Sequence, residues 1–169
     1  VVHVLTDGRD TPPKSAVDSL VRLEAALPPS VPVATVIGRY YAMDRDKRWD
    51  RVTRAYNAIV EAEAPRFPDE FVEPSVIVNY AGIRDGDGVL CFNFRADRVR
   101  EILGAMLDPA FAGFPRRRKV QFAAALGMTQ YSDDLDRLMQ TIFPAETFPN
   151  ILGEVTSAAN RTQLRMAET

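Results

Sequence analysis

The sequence predicts a layered α/β domain, an α/β/α arrangement with a mixed β-sheet and flanking helices. Three observations carry that expectation. Short apolar runs alternate with longer stretches of helical periodicity over most of the chain. Gly, Pro and Asp collect at the junctions between them. Two strand-like runs in the middle of the chain, residues 74–80 and 88–94, have no helix between them, which favours a mixed sheet over a purely parallel one.

"VVHVL", residues 1–5, reads as the first strand, closed by the turn signal "TDGRDTPP". "SAVDSLVRLEAALPP" follows as a helix with Val17, Leu20, Val21 and Leu27 on one face, Ser15 as its cap and Pro28 and Pro29 as its stop. "VPVATVIG" is a buried second strand ending at Gly38, and "RVTRAYNAIVEAEA" a second helix whose stripe is Val52, Tyr56, Ile59 and Val60. Between "PSVIVNY" and "GVLCFNF" lies "AGIRDGDG", a hairpin or wider loop rich in residues that tolerate positive φ. "ADRVREILGAML" is a third helix, "KVQFAAAL" a strand, "NILGEVTSAAN" a helix and "TQLRMAE" a last strand. The polar run "TQYSDDLDRLMQTIFPAETFP" has no clear period and reads as an excursion across one face.

Apolar residues make up 46% and charged residues 26% of the 169 residues, a globular composition that fits one domain. A net charge of −2 argues against nucleic-acid or anionic-membrane binding, which needs a basic surplus. The single cysteine, Cys91, excludes a disulfide framework and reads as a buried, inert thiol. No apolar run approaches the roughly 20 residues of a membrane span, so a cytoplasmic protein is expected. The chain opens inside a strand without Met, which reads as a fragment. Only Lys14, Lys47 and Lys119 are lysines among 21 basic residues; the remaining 18 are arginines. Codon bias accounts for most of that excess, and position must show which arginines bind anions.

In alternating α/β folds, ligands gather outside the carboxyl ends of the strands. Asp7, Arg9 and Asp10 follow the first strand, Arg39 and Arg45 the second, and Arg95 and Arg98 the strand ending at Phe94. If these strands are neighbours in one sheet, five arginines and two carboxylates converge on one crevice. Arg95 and Arg98 stand at a helix opening, where an anion would use both side chains and the positive end of the dipole; the alternative is two exposed arginines eased by Asp97. In "GRYYAMDRDKRWD", Asp44 or Asp46 is expected to cap a helix and Trp49 to anchor packing. "PRRRK" reads as a solvated edge and His3 as a hydrogen-bonded core residue. No cluster has metal-ligand spacing, so no metal site is expected in this chain.

Five motifs, "HVLTDGRDTPP", "GRYYAMDRDKRWDRV", "DEFVEPSVI", "FNFRADRVREI" and "QLRMAET", occur in that order. Together they resemble the cofactor-independent phosphoglycerate mutases, specifically their middle, substrate-binding domain, over nearly the whole chain. The resemblance implies an enzyme that interconverts 3- and 2-phosphoglycerate, in glycolysis and gluconeogenesis, through a phosphoserine formed on a second, phosphatase-like domain. That domain, with two divalent metal ions (usually manganese), is not contained in this sequence. By motif position, Arg9, Asp10, Arg39, Arg45, Arg95 and Arg98 resemble the substrate-binding residues, and Asp10 is the candidate general acid/base. The family also has a His-containing motif upstream and a Lys beyond "AET", and a longer stretch near residues 67–69. Residues 1–169 are therefore expected to be one substrate-binding domain of a larger monomeric enzyme, inactive alone. A stand-alone phosphate- or carboxylate-binding regulatory module is the alternative.

Overall fold

The computed structural model describes residues 1–12, 14–64, 73–77, 79–164 and 166. The first strand, β1 (Val2–Thr6), lies parallel to β2 (Val33–Gly38), with Leu5 opposite Ile37 and Thr6 opposite Gly38. On the other side of β2, the short β3 (Ser75–Val76) pairs antiparallel, so this sheet is mixed as expected. Every residue of β2 is buried, Thr35 included, as a central strand covered on both faces requires. His3 meets Thr35 across the ladder at 2.9 Å and stands edge-on to Tyr80, the hydrogen-bonded role expected of it.

"PSVIVNY" and "GVLCFNF" do not share a sheet. The second supplies β4 (Gly88–Cys91), which begins a separate, wholly parallel sheet with β5 (Ala124–Gly127) and β6 (Gln140–Thr141). The cause lies in the connection, which is tied down before it can reverse. The Tyr80 hydroxyl donates to the Ile59 carbonyl, and Ile83 donates its N–H to Val60. Gly82, at φ +84°, lets the chain pass so close that a Cβ would lie 2.3 Å from the Val60 oxygen. The expected strand at residues 119–126 is shorter than its pattern suggests because turn contacts use its first half: Gln121 donates its N–H to Asp85 and accepts from Gly86.

The helix α1 (Ala16–Ala26) forms where periodicity placed it, but its inner face is not the expected one. Val17 and Val21 are 64% and 60% exposed, while Leu20, Leu23 and Leu27 are half-buried. An open cavity of about 230 Å³ lies between α1 and β1, lined among others by Val4, Leu20 and Leu23. Ser15 does not cap: it already has helical φ and ψ, and its hydroxyl donates to the Pro12 carbonyl.

The four-residue α2 (Arg39–Ala42) leads to α3 (Trp49–Val60), whose predicted stripe of Val52, Tyr56, Ile59 and Val60 is fully buried. The third predicted helix starts late. Residues 96–98 form a 3-10 turn, and α4 (Arg100–Leu107) begins only at Arg100. α3 and α4 pack together, and the core runs from Ile37 through Ala55, Tyr56 and Val99 to Tyr131 and Met139, joining both sheets. Trp49 anchors one end against Phe111, at 5.3 Å between ring centroids.

"PRRRK" is a set of clasps rather than a solvated edge. Arg116 donates to the carbonyls of Ala105, Pro109 and Phe111 at the end of α4, where the last C=O groups need donors. Arg118 donates to the Ile83 carbonyl, and Arg117 pairs with Glu63. Cys91 is half-buried rather than buried. The polar excursion supplies a 3-10 turn at residues 135–137 and β6, and α5 (Leu152–Ala158) forms without burying a residue. Thr162, Gln163, Leu164 and Met166 are not in a strand. The rest of the expected last strand, and the short segment near residues 67–69, lie outside the described residues.

Candidate anion-binding site

Because Thr6 and Gly38 are opposite one another at the ends of parallel strands, the next residues of both strands emerge together. Asp7 follows β1 and Arg39 follows β2. The turn after β1 is held internally: Asp10 donates its N–H to Asp7 Oδ2 at 3.1 Å, Gly8 donates to Thr11 Oγ1, and Gly8 takes φ +73°. This brings the Asp7 and Asp10 carboxylates to one guanidinium. Arg39 Nη1 bonds Asp7 Oδ1 and, at 3.0 Å, Asp10 Oδ2.

The third strand end arrives from the other sheet. The Tyr131 hydroxyl bonds the carbonyls of Cys91 and Asn93, and the Asn93 side chain accepts the Arg95 N–H at 2.8 Å. Arg95 Nη1 then reaches Asp10 Oδ2 at 3.2 Å, and its Nε faces Asp97 at 3.4 Å. Asp97 also meets Arg45 Nη1 at 3.1 Å and Arg98 Nε at 3.4 Å. The convergence predicted for three neighbouring strands in one sheet therefore forms across two sheets. Arg39, Arg45, Arg95, Arg98 and Asp10 join one chain of alternating charge. Arg9 is exposed beside it and adds a favourable field at Asp10 without an ion pair of its own among the described residues.

The protonation states follow from these contacts. The Arg39 hydrogen bond, with the charges of Arg39, Arg95 and Arg9, holds the Asp10 carboxyl below its ordinary pKa. At Asp7 and Asp97 burial acts in the opposite direction, but the arginines outweigh it and both pKa values fall. Burial and the neighbouring Arg45 lower the pKa of Arg98, whose Nε is buried without a hydrogen bond. Five guanidinium groups against three carboxylates leave a surplus of two positive charges in this network.

Arg95 and Arg98 do not sit on the first turn of α4, since the 3-10 turn precedes it, so the helix dipole adds less than expected and the guanidinium groups carry the attraction. Arg98 is 8% exposed rather than on the surface. The sequence placed Asp7 in the crevice but not as a direct partner of Arg39, and gave Asp97 only as a charge easing the helix dipole; both link the arginines. The signal was the Asp-x-x-Asp and Arg-x-Asp-Arg spacing. Among the described residues, no three His, Cys, Asp or Glu side chains gather as a metal-binding group. No described helix is long and apolar enough to cross a membrane.

A family model described as BPG-independent PGAM N-terminus (iPGM_N) matches residues 1–133, which include every arginine of the network. The chain belongs to the BPG-independent phosphoglycerate mutase family. It is 62% identical over 184 aligned positions to the 2,3-bisphosphoglycerate-independent phosphoglycerate mutase of Rhodopseudomonas palustris, covering 100% of this chain and 36% of that protein. With the enzyme of that name from Paracoccus denitrificans it is 47% identical, with the same shares covered. A solved Leishmania mexicana phosphoglycerate mutase, crystallised at low cobalt concentration, superposes with a TM-score of 0.78 at 30% identity, over 94% of this chain and 34% of that one. The chain thus spans about a third of the length of these relatives. The 184 aligned positions exceed its 169 residues by 15, so the alignment with the R. palustris enzyme contains positions that this chain lacks.

Proposed function

We propose that residues 1–169 form one domain, the middle, substrate-binding domain of a cofactor-independent phosphoglycerate mutase, and that the arginine network holds 2- or 3-phosphoglycerate. The observation that carries this reading is the surplus positive charge of Arg39, Arg45, Arg95, Arg98 and Arg9 around Asp10. A phosphoglycerate bears about three negative charges near neutral pH, roughly two on phosphate and one on carboxylate. Guanidinium forks bind both groups in a bidentate manner. The ligand and Asp10 compete for Arg39 and Arg95, so a bound anion releases Asp10 from its partners and brings its pKa back towards ordinary values. Asp10 is then a proton acceptor beside a substrate hydroxyl, as general acid/base catalysis requires.

Transfer of the phosphoryl group belongs to the remainder of the longer protein, as do the divalent metals, for which manganese is the expected ion, and the phosphoserine. The described residues of this chain bind and orient. Titration of the chain with 3-phosphoglycerate by calorimetry tests the reading. Binding is expected to weaken as salt rises, and to fall at least about tenfold in Arg39→Ala and in Arg95→Ala, the loss of a charge-assisted contact worth roughly 1.5–3 kcal/mol. Affinity unchanged in both variants would place the anion elsewhere.

A further inference from the structure

Residues 43–48 join α2 to α3 and carry Arg45 without a helix or strand of their own. Three successive backbone N–H groups of this turn go to two carboxyl groups. Asp44 Oδ2 accepts from Asp46 at 3.0 Å and from Arg48 at 2.9 Å, and Asp44 Oδ1 faces Arg51 at 3.6 Å. The third, the Lys47 N–H, goes to Glu101 Oε1 on α4 at 2.8 Å. Lys47 has φ +57°, a left-handed conformation that a side chain disfavours and that persists only where its surroundings enforce it. Glu101 is the partner that reaches this residue from another element.

The second oxygen of Glu101 is buried with no hydrogen-bond partner. Burial raises the pKa of this carboxyl, opposed by the Lys47 N–H and reinforced by the nearby Asp44 and Asp46 carboxylates. Glu101 also lies three residues after Arg98 and six after Arg95. One side chain therefore connects the segment that presents Arg95 and Arg98 with the turn that presents Arg45, and the two meet again at Asp97.

We propose that Glu101 is a positioning residue of the anion site, locking the 43–48 turn against the start of α4 and so setting the distance between Arg45 and the Arg95–Arg98 pair. The inference rests on the phosphoglycerate reading of that site. Its test is steady-state kinetics of the full-length protein carrying Glu101→Ala, Glu101→Asp, Glu101→Gln, Arg45→Ala and Glu101→Ala combined with Arg45→Ala. Glu101→Ala and Glu101→Asp are expected to raise KM for 3-phosphoglycerate about five- to tenfold with kcat within about twofold. Glu101→Gln, which keeps an acceptor at the same reach, restores KM. Added to Arg45→Ala, Glu101→Ala changes KM by less than about twofold, because both remove the same contact.

Full multiplication of the two effects, or a Glu101→Gln variant as impaired as Glu101→Ala, would overturn the role of Glu101. If Glu101→Ala does not fold, Glu101→Asp against Glu101→Gln carries the same decision. Arg45→Ala with unchanged KM would sink the reading of the site itself. Arg45→Ala with raised KM beside a normal Glu101→Asp would sink only the inference about Glu101.

Discussion

In the first sheet, β2 lies between two other strands with all six residues buried, and the strand ends carrying Asp7 and Arg39 follow from its register with β1. In the second sheet, β4 is an edge strand with Leu90, Phe92 and Phe94 at or beyond its end more than half exposed, and one side chain, Tyr131, holds the backbone that leads to Arg95. Two kinds of support thus deliver groups to the same carboxylate, Asp10. A strand packed on both faces places its end by many small contacts. An open one has its ladder on one side only and, past the strand end, relies on the Tyr131 and Asn93 bonds, whose failure should be felt at the site before it is felt in the fold.

That contrast can be broken most forcefully at Ile37, which is fully buried in β2. Ile37→Ala should cost about 2–5 kcal/mol through lost transfer energy and a residual cavity. Urea denaturation measures it, and a loss under about 1 kcal/mol would show that the first sheet is not the rigid partner. Tyr131→Phe comes next. It keeps the ring in the core and removes the hydroxyl bonded to Cys91 and Asn93; the Cys91 carbonyl keeps the Met128 N–H, so the loss is about 1 kcal/mol, that of one hydrogen bond. Arg95 follows Asn93, so 3-phosphoglycerate affinity should fall in the same variant. Lost stability with intact affinity would separate the clamp from the site.

A pH-dependent effect concerns the first sheet again. Burial lowers the pKa of His3 from 6.5 to about 4. The unfolded chain therefore takes up a proton at higher pH than the folded one, and the neutral-ring contribution to stability is intact above about pH 6.5 and lost as the pH falls from there towards 4. Denaturation midpoints at pH 7 and pH 4.5 should differ more for the unaltered chain than for His3→Gln. The carboxylates of Asp7, Asp10 and Asp97, also depressed, lose stability over an acidic range in both proteins and cancel in that comparison. Equal differences would mean that the ring titrates freely.

What could be read in the sequence was local. The stripe of α3, the buried run of β2 and the strand-end arginines are encoded in spacing within a dozen residues, and each is present. Pairing between distant segments was not legible. Nothing near residues 74–94 shows that Ile83 would bind the end of α3 and send the two middle strands to different sheets. On α1, four apolar positions fit a helical face, yet Leu23 belongs to the inner side and Val17 and Val21 do not, because the approach of β1 decides which side is covered. At the site, the arginines stood out by type and place. Asp97 did not, since its partner Arg45 lies 52 residues away.

Asp10 has a further consequence when treated as an occupant instead of a lining residue. It fills, with its own carboxylate, the place between Arg39 and Arg95 that an incoming anion would take. Binding is then an ion exchange, in which a visitor must outbid a resident attached to the same chain. A halide, with one charge and no second group to reach Arg45 or Arg98, gains little from the exchange, whereas a ligand carrying two separate anionic groups can replace Asp10 at one and engage free guanidinium edges at the other. On the proposed reading of the site the tethered carboxylate acts as a threshold: it holds Arg39 and Arg95 together and sets a minimum valence for whatever displaces it.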